Sequence, residues 1–423
     1  MSSSLSSSIS PSPGSAMDSS PSAPEAGVRT LSHRQRAPRL PDMDWALLVC
    51  AAALVGLGFI MVASASMPIA DRTFGNPFHF VLRHGAALVL ALSAALGVLL
   101  VPIRVWERQG TLLFFVGLSL LVLVLIPGLG RNVNGATRWI PLGPFNLQSS
   151  ELMKFFAVIF IAGYLIRRRE EVETSLLGFV KPMALIVIAA TLIMAEPDFG
   201  TTVVLMATVM GMLFLGGVRL VYFGGLGLAV VLSGIGLVLS SPYRLQRVTS
   251  YLDPWADPYN TGFQLSQALI AFGRGEWAGV GLGNGIQKQF YLPEAHTDFI
   301  IAVVGEELGL AGVLLVTAAM GFIVWRAFQI GFRARLAGRH FDAYLAQGFG
   351  LGLGLQGLIN IGVNVGLLPT KGLTLPFLSY GSNSLIVVCM IIAVLLRIDL
   401  ETRHDPRAAA TAGGGGGVKW ARA

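Results

Sequence analysis

Apolar segments about as long as a bilayer is thick recur along this chain, and no other feature constrains its fold as much. A helix needs roughly 20 apolar residues to cross the hydrocarbon core. Segments approaching that length lie at 45–64, 78–101, 111–126, 152–166, 182–195, 201–215, 220–240, 299–325, 343–367 and 376–396. Only 13% of the 423 residues are charged, against about 25% in a soluble domain. That is too little charge to cover a water-facing surface, which excludes an ordinary cytosolic enzyme. The expected fold is all-α: a polytopic integral membrane protein with about ten transmembrane helices.

The two ends differ from this pattern. Residues 1–41 are rich in Ser, Pro and Ala. They cannot bury enough apolar surface to offset chain entropy, so a disordered tail is expected, and they lack the apolar core of a signal peptide. Residues 404–423, with the run Gly413 to Gly417, are expected to be a second flexible tail, leaving 42–403 as the membrane domain. Arg34, Arg36 and Arg39 precede the first span. With ten spans, the same side receives Arg104, Arg108, Arg167 to Arg169, Arg219, the Arg326 to Arg339 cluster, Arg397 and Arg403. By the positive-inside rule both termini are cytoplasmic. The long loop 241–298 then lies outside, with the loops 127–150 and 368–375. These short basic loops account for the net charge of +7 without a nucleic-acid partner. Cys50 and Cys389 sit in apolar runs and offer neither a disulfide framework nor a metal pair. The glycine-rich stretch 279–285 has no Rossmann or P-loop spacing and is expected to be a turn.

Charges at the edge of apolar spans are expensive, so each is a functional candidate. Glu294, His296 and Asp298 run straight into the span that carries Glu306 and Glu307. If 294–298 is extended, all three share a face; if it is helical, Glu294 and Asp298 share one and His296 turns away. A carboxylate at that depth is desolvated and becomes a better base. The competing reading, at even weight, is that Asp298 caps the helix. A metal site from these three residues is weaker, because there is a single His and no fourth ligand. Three cations are available on the same side: Arg138 in an external loop, Lys154 one turn from Glu151, and Lys371 between Pro369 and Pro376. A local Glu151–Lys154 ion pair and a headgroup contact for Arg138 are the plainer readings. Lys371 has no evident structural purpose. Asp198 reads most simply as an N-cap, and Tyr251, Trp255, Tyr259 and Phe263 as an interfacial aromatic stretch.

From about Asp44 to Arg403 the chain resembles the SEDS (shape, elongation, division and sporulation) family, and its division-type members most. The resemblance rests on 291–300 followed by Gly305-Glu306-Glu307-Leu308-Gly309, on 368–376, on Phe272-Gly273-Arg274-Gly275 and on Leu396-Arg397-Ile398-Asp399. It implies ten transmembrane helices and a peptidoglycan glycosyltransferase that polymerises lipid II. It also implies a class B penicillin-binding transpeptidase and other divisome proteins as partners, and a place at the division septum of the cytoplasmic (inner) membrane. The family's catalytic aspartate matches Asp298, and its functional arginine and lysine match Arg138 and Lys371. Lys154, Glu294, His296 and Glu306 are carried as further substrate-binding candidates. No cofactor is specified, though a divalent cation such as Mg2+ is compatible with a pyrophosphate donor. Relatives usually read Gln-Pro-Ala-Glu where this chain has Gln148-Ser149-Ser150-Glu151. They usually read Ser-Tyr-Gly-Gly-Ser-Ser where it has Ser379-Tyr380-Gly381-Ser382-Asn383-Ser384.

The chemistry is consistent with these residues. Pyrophosphate leaves readily, so the donor needs cations more than a strong acid, whereas the acceptor hydroxyl needs a base. An α-linked donor that becomes a β-linked polymer requires inversion, which one displacement and a single carboxylate achieve. Two rival functions use the same facts: a lipid II flippase, which needs polar groups near the midplane and access to both faces, and a non-catalytic scaffold.

Overall fold

The computed structural model describes residues 43–133, 136–143, 145–225, 227, 236, 253–260, 262–369 and 372–404. The expected tails, most of the 220–240 span, the start of the 241–298 loop with Tyr251, and Lys371 lie outside the described residues.

Helices follow the apolar segments closely. They are α1 (Trp45–Phe74), α2 (His79–Leu100), α3 (Ile103–Leu125), α4 (Ser149–Arg167), the short α5 (Arg169–Thr174), α6 (Leu176–Ala195) and α7 (Phe199–Leu215). Then come α8 (Phe263–Gly275), α9 (Ile300–Leu336), α10 (His340–Asn364) and α11 (Ser382–Arg403). Among the described residues, six helices are long and apolar enough to cross a membrane, and α7 is a shorter apolar one. Local chemistry sets several ends. Asp44 caps α1 by accepting from the Leu47 amide at 3.2 Å, and Gly75 closes it in the left-handed conformation. The last apolar segment is helical only from Ser382, because 376–381 forms turns instead.

The helices bury small residues against each other and point large ones outward, as expected where lipid is as apolar as the core. On α10, a Cβ at Gly357 would meet Met320 of α9 at 2.3 Å. On α2, by contrast, Leu82, Val89 and Leu96 are more than half exposed and form a lipid-facing stripe. α4 is the central helix, buried along nearly its whole length. α9 is broken at Gly309, whose φ of 68° no β-carbon tolerates well. The freed amides of Leu310 and Ala311 donate to the carbonyls of Glu276 and Trp277.

Two groups of polar residues mark opposite ends of the bundle. At one, Asp44 pairs with Arg326 at 2.6 Å and Asp399 with Arg333 at 3.0 Å. There too Glu401 pairs with Arg339 and Arg397 and accepts from the Ile103 amide. The start of α1, the α2–α3 turn, the α9–α10 link and the end of α11 therefore meet at one end, as the alternating arginines predict. At the other end the all-α expectation meets an addition. The loop after α3 folds into a three-stranded antiparallel sheet in the order β1 (Arg131–Val133), β2 (Ala136–Leu142), β3 (Phe145–Gln148), with Trp139 opposite Gln148.

Candidate active site

A cleft of about 1030 Å3 opens at this second end, between the sheet, α2, the α6–α7 junction and the turns that precede α9 and α11. Asp298, Glu294, His296 and Arg138 all line it. Sequence positions more than 150 residues apart thus converge on one site.

Segment 291–299 is neither extended nor helical but a run of turns. Glu294 adopts a φ of 55°, and its carbonyl accepts from the amides of Thr297 and Phe299 at 3.1 and 3.2 Å. Its carboxylate accepts from the Thr297 hydroxyl at 2.6 Å. A non-glycine residue in this backbone region costs of order 1–3 kcal/mol and persists where the surroundings enforce it. The N-cap of α9 is Phe299, with no side-chain cap bond. The capping reading of Asp298 therefore fails, and its carboxylate faces the cleft.

What holds Asp298 is its backbone. Its carbonyl accepts from the side-chain amides of Asn360 at 2.9 Å and Asn364 at 3.0 Å, both on α10. The Ser379 hydroxyl donates to the Thr297 carbonyl at 2.6 Å, and the Tyr380 amide to that of His296 at 2.9 Å. Gly372 lies so close that a Cβ there would sit 3.1 Å from Asp298 Oδ2. Burial pushes the Asp298 carboxyl up to about 7; Glu294 and Asp198 add to the rise and Arg138 opposes it. A carboxylate titrating near neutrality is well matched to taking a proton from a hydroxyl.

His296 is less suited to charge transfer. Its ring packs between Phe80 at 5.2 Å and Tyr380 at 5.4 Å, and burial lowers its pKa, with Glu294 pulling the other way. It is a neutral wall of the cleft. Arg138, on β2, donates from Nε to the Glu196 carbonyl at 3.0 Å and from Nη2 to that of Pro197. The side chain of Glu196 is fully buried and pushed up to about 8 by that burial, against the hydrogen bond from Ser149. Asp198 does cap α7, accepting from the Thr201 amide at 3.3 Å; its other oxygen takes the Ser150 hydroxyl at 3.1 Å. Ser149 and Ser150 thus bind both acidic residues of the α6–α7 junction. Asn383 donates to the Asn146 carbonyl at 2.8 Å and ties α11 to β3.

Lys154 does not line the cleft. It pairs with Glu151 at 2.9 Å and donates to Gln356 at 2.8 Å, which in turn donates to the Thr374 carbonyl at 3.0 Å. Glu306 and Glu307 also lie elsewhere, beneath the glycine-rich turn. Glu306 pairs with Arg274 at 2.9 Å and accepts from the amides of Ile286 and Gln287. Glu307 pairs with Lys288 at 2.6 Å and accepts from Ser64 and the Gly283 amide. Among the described residues no group of three or more His, Cys, Asp or Glu is placed to hold a metal ion. Reasoning from the chain missed Asn360 and Asn364, although two carboxamides one turn apart in an apolar helix are a signal of buried polar work.

Fold and site together define a polytopic helical membrane protein with an acidic cleft at one end. The chain belongs to the FtsW/RodA/SpoVE family of cell cycle proteins, which it matches over residues 44–404. A probable peptidoglycan glycosyltransferase FtsW from Allochromatium vinosum is 59% identical over 87% of this chain and 93% of its own. A protein of the same name from Nitrosococcus halophilus is 55% identical over 86% and 94%. Among solved structures, a chain from a peptidoglycan synthase complex that coordinates polymerization and crosslinking superposes with a TM-score of 0.70 at 28% identity. That alignment covers 85% of this chain and 98% of the other. The rod shape determining protein RodA of Thermus thermophilus gives a TM-score of 0.60 at 26% identity, over 86% and 98%.

Proposed function

We propose that this protein is a peptidoglycan glycosyltransferase of cell division that polymerises lipid II at the outer face of the cytoplasmic membrane. The observation that carries the reading is Asp298: a carboxylate held by its backbone in the cleft, with its pKa raised to about 7. In the reaction the acceptor hydroxyl gives its proton to Asp298 as its oxygen bonds to the donor's anomeric carbon. The bond from that carbon to pyrophosphate breaks on the opposite side, and the pyrophosphate leaves with the electron pair. One displacement inverts the centre, so a single base suffices. Arg138 and Lys371 supply positive charge for the leaving group.

A divalent cation such as Mg2+ needs only one or two protein carboxylates when phosphate oxygens supply the rest. Glu294, which lines the cleft, would hold it, and it would offset charge on the pyrophosphate. The basic end of the bundle is then cytoplasmic, both termini lie there, and the sheet and cleft face outward. A class B penicillin-binding transpeptidase and other divisome proteins are the expected partners at the septum; the fold's likeness to a chain of a peptidoglycan synthase complex supports this. A flippase would need access from both faces. Against it stands the opposite end, where Asp44, Asp399 and Glu401 are engaged in ion pairs. The test is polymerisation of labelled lipid II by the purified protein, with and without the transpeptidase. Glycan strands support the reading; lipid II translocation without polymer refutes it.

A further inference from the structure

A second cavity, of about 590 Å3, opens at the basic end of the bundle between α9 and α10. The two helices close on one another there because glycines face the contact. A Cβ at Gly331 would meet Gln347 Cγ at 2.9 Å, and one at Gly350 would meet Ala327 at 2.9 Å. Gln347 is held by that packing. It lines the cavity and is only 8% exposed, and its Oε1 is buried with no hydrogen-bond partner among the described residues. An amide oxygen is costly to leave unmatched, so this one calls for a donor from outside the chain. Arg326 on the same wall is spent, with Nε and Nη2 on Asp44 at 3.0 and 2.6 Å and Nη1 on Gln329 at 2.7 Å. Arg333 is less engaged: it donates from Nη1 to Asp399 at 3.0 Å, its Nη2 stands 3.9 Å from Asp44, and its side chain is 37% exposed. The ion-pair cluster sets Arg326, Arg333 and Arg403 against Asp44 and Asp399, so one positive charge is left over.

The rest of the wall is aromatic. Trp325, Phe328 and Phe332, at i, i+3 and i+7 on α9, line the same cavity, and Trp325 and Phe332 are more than half exposed. α9 is 37 residues long, about 55 Å at 1.5 Å per residue, against a hydrocarbon core of about 30 Å. Its last turns therefore leave the apolar layer. Trp325, with the Arg326 guanidinium 5.7 Å from its ring, marks the level of the headgroups. A ligand complementary to this wall has a phosphate for Arg333, a hydroxyl that donates to Gln347 Oε1, and acyl chains for the aromatic rings. We propose that the α9–α10 cavity binds an anionic phospholipid with a glycerol headgroup, phosphatidylglycerol. Basic pockets between helices on the cytoplasmic side suit such headgroups, and this end is cytoplasmic in the orientation proposed above. The site lies at the opposite end of the bundle from Asp298 and does not depend on the lipid II reading.

The experiment titrates the full chain in detergent with phosphatidylglycerol and reads lipid retention by native mass spectrometry. Phosphatidylethanol, which has the same charge but no headgroup hydroxyl, and phosphatidylcholine are the comparison lipids. The wild type should hold phosphatidylglycerol about 3- to 10-fold more tightly than phosphatidylethanol, the range for one neutral hydrogen bond, and phosphatidylcholine least. Gln347→Leu should erase that preference without lowering the melting midpoint, since Oε1 has no protein partner to lose. Arg333→Gln should weaken both anionic lipids about 10- to 100-fold, the range for a charge-assisted bond. It also breaks the Asp399 pair, so Arg333→Lys, which keeps the charge, is its control and should keep most of the affinity. A wild type that binds phosphatidylcholine as well as phosphatidylglycerol overturns the site. So does a folded Gln347→Leu that still prefers phosphatidylglycerol to phosphatidylethanol. A lipid-free dimer that Phe332→Ala dissolves would give this face to a second copy of the chain and overturn the proposal as well.

Discussion

Asn360 donates its side-chain amide to the backbone carbonyl of Asp298 at 2.9 Å. The same amide group also reaches the Leu373 carbonyl, so one side chain of α10 fixes both the base and the loop that covers it. Asn360→Leu keeps the volume but strands the buried Leu373 carbonyl, at a cost of about 1–3 kcal/mol, and leaves the Asp298 carbonyl to Asn364 alone. We expect a lowered thermal midpoint and a fall in polymerisation larger than the unfolded fraction explains. Asn364→Ala should be milder, because Asn360 still serves the Asp298 carbonyl. Equal, unchanged rates in both variants would remove these residues from the positioning of Asp298.

The pKa of Asp298 sets a pH profile. With the carboxyl near 7 in the folded protein, polymerisation should rise with pH and level off above that value, falling about tenfold per unit well below it. The sign for stability is opposite. Burial raises the folded value above the unfolded one, so this group's contribution is greatest at low pH and is lost as pH rises towards about 7. Asp298→Asn should therefore raise the thermal midpoint at pH 8 and leave it nearly unchanged at pH 4. A rate profile that is flat from pH 5 to 8 would contradict the assignment.

Arg138 spans two carbonyls with one planar fork. Lys offers a single point charge and cannot make both contacts. Arg138→Lys should lose stability and activity together, and Arg138→Ala more of both, with each lost charge-assisted bond worth about 1.5–3 kcal/mol. Thermal melts and polymerisation assays on the two variants check the order. A headgroup contact alone would leave the melts unchanged.

Asn383 tests what ties α11 to the sheet. Asn383→Ser removes the bond to Asn146 and should cost about 1 kcal/mol. The loss should be local: faster hydrogen exchange in 145–148, with Asp298 chemistry intact. Unchanged exchange there would show that the side chain does not tie α11 to the sheet.

Near-neighbour relationships were legible in the chain, and distant ones were not. The Glu151–Lys154 pair, the Asp198 cap and the turn through Gly279, Gly281 and Gly283 follow from spacing and residue type alone. Apolar length gave the helices, but not the break at Gly309, which exists because 276–277 supplies replacement acceptors for its amides. The sheet at 131–148 escaped notice because its strands are short and only partly buried. Glu306 looked like a substrate ligand for want of its partners: Arg274 lies 32 residues earlier, and for Glu307, Ser64 lies 243 residues away. Asp298 was legible as chemistry but not as geometry, since Asn360 and Asn364 that hold it come from another helix.

The central claim is that Asp298 is the base, and Asp298→Asn tests it most directly. Asn keeps the size of the side chain and leaves the carbonyl bonds to Asn360 and Asn364 in place. It cannot accept the acceptor hydroxyl's proton. Lipid II polymerisation by the purified variant, alongside its melting curve, should fall by about 10²–10⁴-fold with folding retained. Near-normal polymerisation by a well-folded Asp298→Asn would contradict the account.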